Sequence, residues 1–310
     1  MHPAFSVILF TTLSGLGYGL WVWSSLSLLS IREAESASLH FLLLLLGVIP
    51  VAGGLASSTL HLGKPMRAWR AFSQWRSSWL SREGVLAVAC FLPWALLAST
   101  IFLGPHALGL AEPFLLAALA LGSLATVVCT AMIYASLKPI PAWTHPMVVP
   151  VYLGFALLTG GLLCTAVTAG VDSPDGFRTL VLLLLAVALA VLKRRYWRDI
   201  DRGPLPATRN SALGLPADRV ASVFERPHTE ANYLTTEMGY VLARKHSHKL
   251  RTIALALFAG VPVLACGLAL LFPGIGMVVL SLAALSALLG AMVERWLFFA
   301  EARHVVMLYY

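Results

Sequence analysis

Eight apolar stretches, each about as long as a bilayer-crossing helix, constrain this chain more than any other feature of its sequence. A span needs about 20 mostly apolar residues, because hydrocarbon offers no water to pair with the backbone. The stretches cover residues 5–30, 39–60, 84–104, 112–137, 147–171, 177–192, 252–272 and 276–300. Several connections are short, which favours antiparallel neighbours. We therefore predict an all-α membrane protein with eight transmembrane helices in one integral membrane domain over residues 1–310, arranged as two four-helix bundles.

The composition excludes other classes of protein. Hydrophobic residues make up 59% of the chain and charged residues 12%, whereas soluble globular domains carry about 25% charged residues. A soluble enzyme, a disordered chain and a fibrous protein are therefore excluded. The first stretch is too long for the apolar core of a signal peptide, so we expect it to remain as the first span.

The positive charges lie almost entirely on one side of the predicted bundle. All of the 22 Lys and Arg residues except Arg32 and Arg178 fall on the side that carries both termini. The positive-inside rule then predicts cytoplasmic termini, in the inner membrane of a bacterium. The net charge of +8 is explained by orientation and membrane lipid, and it does not indicate a nucleic-acid partner.

Two connections on the cytoplasmic side are long and basic, namely residues 61–83, which contain Trp69, Trp75 and Trp79, and residues 193–251, which contain Trp197. A connection of about 60 residues is usually functional or disordered, and the aromatics and mixed charge of the second favour a docking segment for cytoplasmic partner subunits. The docking candidates on this side are Lys64, Arg67, Arg70 and Trp143. Ordinary interfacial belts and lipid contacts account for such residues equally well.

We expect no metal or haem within the chain. The four cysteines lie singly inside apolar stretches, with no Cys-x-x-Cys pair, which is typical of free thiols packed as small apolar groups. All nine histidines lie in loops or at the ends of spans. A membrane cytochrome b needs axial histidines in mid-span, so bound haem is excluded.

Charges inside a span are the usual mark of a transport pathway. Here Glu294 and Arg295 lie near the cytoplasmic end of the last span, where both side chains can find partners, and structural pairing is the favoured interpretation. The adjacent Gly160 and Gly161 favour close helix packing over substrate binding. A transporter remains an alternative function.

The connection between the second and third spans carries the residues most suited to chemistry. His61 stands where span two ends and Glu83 where span three begins, so both belong to the same membrane face. A quinone needs hydrogen-bond partners at its ring oxygens and exchanges two protons along with two electrons, which suits a histidine and a partly buried carboxyl group. Two simpler roles stay open for these residues: a solvated histidine at a helix end, and a Glu favoured by the helix dipole behind a Ser81 cap.

This connection resembles one family in particular. The motifs Leu60-His-Leu-Gly-Lys-Pro65, Trp69-Arg-Ala-Phe72 and Ser81-Arg-Glu-Gly84 are similar to those of the DmsC-like membrane anchor subunits of dimethyl sulfoxide reductase, which are related to NrfD proteins. Further matches occur over nearly the whole chain: His2-Pro-Ala-Phe-Ser-Val7, Phe10-Thr-Thr-Leu-Ser-Gly15, Thr235-Thr-Glu-Met-Gly239 and Ala243-Arg-Lys-His246.

The resemblance implies a function and a set of partners. Such anchors have eight spans and no redox centre, bind ubiquinone or menaquinone, and dock a four-cluster iron–sulfur subunit that serves a molybdopterin catalytic subunit. The family's His and Glu positions for quinol binding fall on His61 and Glu83. The resemblance further suggests pocket residues on neighbouring elements: Thr12, Ser14, Arg82 and Tyr134.

Direction and substrate remain open, since the substrate meets molybdenum in another subunit. The loops that carry the predicted site face the cytoplasm, as expected for an anchor that resembles that of a cytoplasmic sulfite dehydrogenase complex. Such a complex oxidises sulfite and reduces quinone. A quinol-oxidising anchor of a dimethyl sulfoxide or related oxide reductase is the alternative. A purely structural anchor and a transporter are alternatives from other functional classes.

Overall fold

The computed structural model describes residues 4–30, 39, 42–60, 64–104, 107–171, 173–203, 207–216, 218–222, 224–225, 230 and 242–308. Within these residues eight helical segments are long and apolar enough to cross a membrane: Phe5–Leu29, Leu42–Thr59, Trp79–Thr100, Ala111–Ala135, Val148–Thr168, Gly176–Arg202, His246–Leu271 and Pro273–Ala300. The described residues form helices and no strands. The predicted all-α membrane fold with eight spans is confirmed.

Ten α-helices make up the described part of this architecture. They are α1 Phe5–Ser30, α2 Val48–Thr59, α3 Trp79–Leu103, α4 Ala111–Ala135, α5 Val148–Thr168, α6 Gly176–Arg202, α7 Arg209–Ala212, α8 Leu242–Leu255, α9 Val261–Leu271 and α10 Gly276–Ala300. A π-helical turn at Ala256–Gly260 joins α8 to α9, which together form the seventh span. Short 3₁₀ helices are Pro65–Gln74, Pro273–Ile275 and Val305–Leu308.

Helix α1 lies at the centre of the bundle. It packs against α2 and α4 on one side and against α5 and α10 on the other. Helix α3 packs on α4, while α6 packs on α5 and α9. The first four spans and the last four are therefore joined through α1 and α4, and their division into two four-helix bundles is not confirmed.

The closest helix approach is the crossing of α1 and α5. A methyl group added to Gly19 would lie 1.8 Å from the carbonyl oxygen of Ala156, and one added to Gly160 would lie 2.3 Å from the backbone of Gly19. Only glycine therefore fits at these two positions, which confirms that Gly160 serves close packing. Such contacts between small residues hold membrane helices together where the hydrophobic effect gives no advantage.

One end of the bundle, which we call the charged end, gathers the first turns of α1, α3, α5 and α8 and the last turns of α4, α6 and α10. Arg251 of α8 binds Asp201 of α6 and Glu301 just after α10. Trp143, in the connection from α4 to α5, donates from Nε1 to the carbonyl oxygen of Phe298 at 3.0 Å. This is the end predicted to face the cytoplasm.

Three predicted boundaries differ from the structure. Helix α3 begins at Trp79, five residues before the predicted span, so Ser81 lies inside the helix and the predicted cap is wrong; Ser78 precedes the helix. Helix α6 continues to Arg202 rather than ending at 192. Helix α8 begins at Leu242 rather than 252.

The reason for the last two differences is charge pairing. The sequence predicts that Lys193 and Arg251 end spans, because charges avoid hydrocarbon. Both side chains are instead buried at the charged end, 1% and 8% exposed, against carboxylates of neighbouring helices. The predicted 193–251 connection is therefore helical at both of its ends.

Candidate functional site

Glu83 lies buried near the start of α3. Its side chain is 5% exposed, and the hydroxyl of Thr130 on α4 lies within hydrogen-bonding distance of its carboxyl oxygen Oε1. Burying a carboxyl group is costly unless it is hydrogen-bonded, and Thr130 supplies that bond. The two helices pack along each other from this point, so the position of the carboxyl group is fixed by the α3–α4 interface.

The hydroxyl group of Thr130 faces two oxygen atoms. Besides Glu83, the carbonyl oxygen of Thr126 lies 3.1 Å from Oγ1. A hydroxyl group has one proton to donate and can accept as well. Both bonds form together only when the carboxyl of Glu83 is protonated and donates to Oγ1. The arrangement therefore accommodates Glu83 with or without its proton, as a proton-exchanging group requires.

A small polar cavity lies next to Thr130, between α1, α4, α5 and α10. Its volume is about 20 Å³, which is enough for one water molecule. Its polar lining comprises Thr11, Thr12, Ser14, Thr130, Tyr152, Thr159 and Arg295. Most of these hydroxyl groups donate to backbone carbonyls one turn earlier, so their lone pairs are the groups left to face the cavity.

Two donors complete the cavity. The Oη atom of Tyr152 is buried and has no hydrogen-bond partner among the described residues. The guanidinium carbon of Arg295 lies 3.5 Å from the centre of the Tyr152 ring. A quinone oxygen needs donors of this kind, but a ring does not fit into about 20 Å³. The cavity therefore suits a water molecule and not a quinone ring.

The predicted pocket residues separate into two groups. Thr12 and Ser14 line the cavity, as expected for groups close to Glu83 and Thr130. Tyr134 does not line it; its ring packs edge-on against Trp143 at 5.3 Å. Arg82 turns toward the preceding connection, donating to the carbonyl oxygens of Trp75 at 3.0 Å and Arg76 at 2.6 Å.

His61 lies outside the described residues, so the predicted pairing of His61 with Glu83 has no measured distance. Helix α2, which leads to it, ends beside the start of α1: the hydroxyl of Ser57 donates to the carbonyl oxygen of Ser6 at 2.9 Å. The chain therefore approaches position 61 at the charged end, the same end as Glu83.

The docking candidates differ in accessibility. Lys64, Arg67 and Arg70 are exposed, and the last two belong to the 3₁₀ helix that precedes α3. Trp143 is only 4% exposed and stacks on Phe298 within the bundle. Its aromatic ring is used for internal packing, which corrects the expectation that Trp143 belongs to a docking surface.

A cluster of three buried charges lies between α6 and α10. Nζ of Lys193 lies 2.5 Å from Oε1 of Glu294, whose Oε2 lies 3.1 Å from the guanidinium of Arg295. None of the three side chains is more than 3% exposed. The expectation of structural pairing at Glu294 and Arg295 holds, but the pair gains a third member from the segment predicted as a loop.

A cleft of about 610 Å³ opens at the charged end beyond this cluster. Arg251 crosses it, with NH1 2.5 Å from Asp201 and Nε 2.9 Å from Glu301. Burial raises the pKa of the Glu301 carboxyl above its ordinary value, and the guanidinium of Arg251 opposes that rise. Further polar residues line the cleft: His145, Asp199, Ser247 and Arg303.

Sequence reasoning missed several of these residues. Thr130 and Tyr152 are polar groups inside spans whose role depends on neighbours far away in the chain. Lys193 follows directly after an apolar stretch, which is the usual signature of a span end. The one available signal was the acidic residue Glu294 inside another span, because a buried carboxylate needs a cation as its partner.

The described residues contain no group of three or more potential metal ligands, and all four cysteines are free and buried. The burial of the thiols agrees with their prediction as small apolar groups. Cys90 faces Thr126 at 3.8 Å and Cys164 accepts from Arg178 at 3.3 Å.

Comparisons with known proteins place the chain among membrane anchors of oxidoreductases. The family model described as DMSO reductase anchor subunit (DmsC) matches residues 1–300. One of the sulfite dehydrogenase subunits of Allochromatium vinosum is 33% identical over an alignment that covers 100% of this chain and 99% of that protein.

Proposed function

We propose, from the premise that this chain belongs to the DMSO reductase anchor subunit (DmsC) family, that it exchanges electrons between membrane quinone and an iron–sulfur subunit of a molybdopterin oxidoreductase. The observation that carries the proposal is the buried carboxyl group of Glu83, bonded to Thr130 beside a polar cavity. Anchoring alone requires no such group in the bundle. The charged end faces the cytoplasm in this proposal, and the partner subunits dock there.

Sulfite oxidation with quinone reduction is the proposed direction, on the strength of the similarity to the sulfite dehydrogenase subunit from Allochromatium vinosum. Reduction of the quinone takes two electrons from the iron–sulfur subunit and two protons, and yields the quinol. Glu83 supplies a proton to a quinone oxygen, and Thr130 keeps the carboxyl group in place in both protonation states. His61, which follows α2 in the sequence, is the proposed partner of Glu83.

A quinol-oxidising role is the second candidate, because the matching family is described by the DMSO reductase anchor. The two directions use the same residues with proton transfer reversed. An assay of the assembled complex distinguishes them. Sulfite-dependent quinone reduction supports the sulfite-oxidising direction, and quinol-dependent reduction of dimethyl sulfoxide supports the quinol-oxidising direction.

The test of the site is Glu83→Gln in the assembled complex, with His61→Ala beside it. We expect quinone-linked turnover to fall on the order of 10²-fold, the usual contribution of a proton-transferring group. Turnover with a soluble artificial electron acceptor, which bypasses the anchor, should not change. Full quinone-linked turnover in both variants would exclude this site.

A matched control is Glu112→Gln. Glu112 is likewise an acidic residue near the start of a span, in the first turn of α4 at the opposite end of the bundle. Glu83 lies beyond the first turn of α3, where the helix dipole has faded. If loss of an acidic residue near the start of a span were enough to impair the protein, the two substitutions would have equal effects. The proposed site predicts an effect at Glu83 alone.

A further inference from the structure

Three buried side chains, Lys193, Glu294 and Arg295, connect two spaces that the fold otherwise separates. Arg295 lines the cavity beside Thr130, while Lys193 lies on the α6 side of the cluster. Glu294 contacts both cations, at 2.5 Å and 3.1 Å. The cluster therefore extends from the α6–α10 interface to the wall of the cavity next to Glu83.

The outer end of the cluster approaches the cytoplasmic cleft. The ammonium of Lys193 lies 4.9 Å from the centre of the Trp197 ring, and the guanidinium carbon of Arg251 lies 5.4 Å from the same ring. Arg251 lines the cleft together with Glu301 and Asp201. The indole ring of Trp197 thus lies between the cation that lines the cleft and the buried cluster.

The carboxylate of Glu294 is fully buried between two cations. Oε1 lies 2.5 Å from Nζ of Lys193 and Oε2 lies 3.1 Å from NH1 of Arg295. Tyr152 lies beside this cluster and also lines the cavity, and its buried hydroxyl has no hydrogen-bond partner among the described residues. The carboxylate of Glu294 can therefore accept a proton, and the hydroxyl of Tyr152 can donate one, between the cluster and the cavity.

The cluster places two cations around one carboxylate, with none of the three more than 3% exposed. The carboxylate of Glu301, at the edge of the cleft, also attracts the ammonium of Lys193. Ionisable residues inside a span usually belong to an ion or proton path. The positive charge of Arg295 lies at the wall of the cavity. It favours negative charge arriving there, such as electrons that have not yet been matched by protons.

We infer that Lys193 and Glu294 relay protons from the cytoplasmic cleft to the cavity beside Glu83. A proton passes from the cleft to the Lys193–Glu294 pair, then through the Tyr152 hydroxyl and a water in the cavity to Thr130 and Glu83. Arg295 holds its charge throughout and positions the carboxylate. Two such transfers supply the protons that quinone takes up with two electrons from the iron–sulfur subunit.

This inference rests on the proposed function, and its experiment separates the two. The wild-type complex is first assayed for sulfite-dependent quinone reduction; if it has none, the proposed function fails. In an active complex, Lys193→Arg and Glu294→Gln are then compared. Arginine keeps the positive charge but does not release protons in proteins, so a purely structural ion pair predicts normal turnover for Lys193→Arg.

For both variants we expect quinone-linked turnover to fall on the order of 10²-fold. Turnover with the soluble acceptor and the Kd of a quinone-analogue inhibitor should stay unchanged. Formate or azide, small weak acids, should restore turnover in Glu294→Ala, where the lost side chain leaves room for them. If Glu294→Gln fails to assemble, Lys193→Arg decides the question by the same readouts.

Arg178→Lys is the matched control, because Arg178 is also buried, at 7% exposure, but lies at the opposite end of the bundle against Asp175 and Ser27. It should keep full quinone-linked turnover. Undiminished turnover in Lys193→Arg together with Glu294→Gln would overturn the relay.

Discussion

The crossing of α1 and α5 gives a prediction whose size follows from the structure. In Gly19→Ala the new methyl group would lie 1.8 Å from the carbonyl oxygen of Ala156. Side-chain carbons essentially never approach a neighbour within 3.0 Å. The two helices must therefore move apart by about 1 Å along a contact that also bounds the cavity beside Thr130.

Overpacking of this kind costs about 1–3 kcal/mol, and sometimes more. The gain in helix propensity on replacing Gly by Ala, about 1 kcal/mol, offsets part of that cost. Gly267→Ala in α9 is the matched control, because a methyl group there meets nothing within 4 Å. It retains the propensity gain without the clash, so Gly19→Ala should lower the free energy of unfolding relative to Gly267→Ala.

The four buried thiols provide the assay. Because all four cysteines are free and buried, a thiol-reactive fluorophore reports unfolding in detergent as they become accessible. We expect Gly19→Ala to lower the melting temperature and Gly267→Ala to raise it slightly or leave it unchanged. A Gly19→Ala protein that melts with or above the control would refute the close crossing.

Two further predictions concern single residues. Thr130→Val removes the hydroxyl that contacts Glu83 at nearly constant volume and should lower quinone-linked turnover, whereas Thr130→Ser should preserve it. Turnover with the soluble acceptor serves as the reference for both variants. Equal quinone-linked turnover in the two variants would show that the Thr130 hydroxyl has no role. Burial lowers the pKa of His304, whose Nδ1 accepts from the N–H of Val306 at 3.1 Å. The neutral form therefore stabilises the 3₁₀ turn Val305–Leu308, and this contribution is lost as the pH falls through the lowered pKa. Carboxypeptidase should therefore release the residues of this turn faster at about pH 5 than at about pH 7. In His304→Gln the rates at the two pH values should be equal.

The sequence was sufficient for the number of spans because apolar length is a local property. Each stretch of about 20 apolar residues predicts a helix without knowledge of its neighbours, and all eight are present. The position of Glu83 at the charged end also followed, since the connection from α2 to α3 returns to one face.

Helix ends and site partners could not be predicted from the sequence, because they depend on pairs that are distant in the chain. Lys193 continues a helix only because Glu294 lies beside it, and Glu83 is satisfied by Thr130 from the next span. Trp143 looks like an interfacial residue until the carbonyl oxygen of Phe298 is found against its indole nitrogen. No local pattern reports these contacts.

The pairing of Lys193 with Glu294 sets an order for biosynthesis. Lys193 is synthesised about 100 residues before its carboxylate partner, so α6 enters the membrane with an unmatched positive charge. Because a charge avoids hydrocarbon, we expect Lys193 to hold α6 shifted toward the membrane surface at the charged end until α10 inserts and supplies Glu294. The last span is thus the element that draws α6 to its final depth, and a nascent chain stopped before α10 would hold α6 displaced outward from the bilayer.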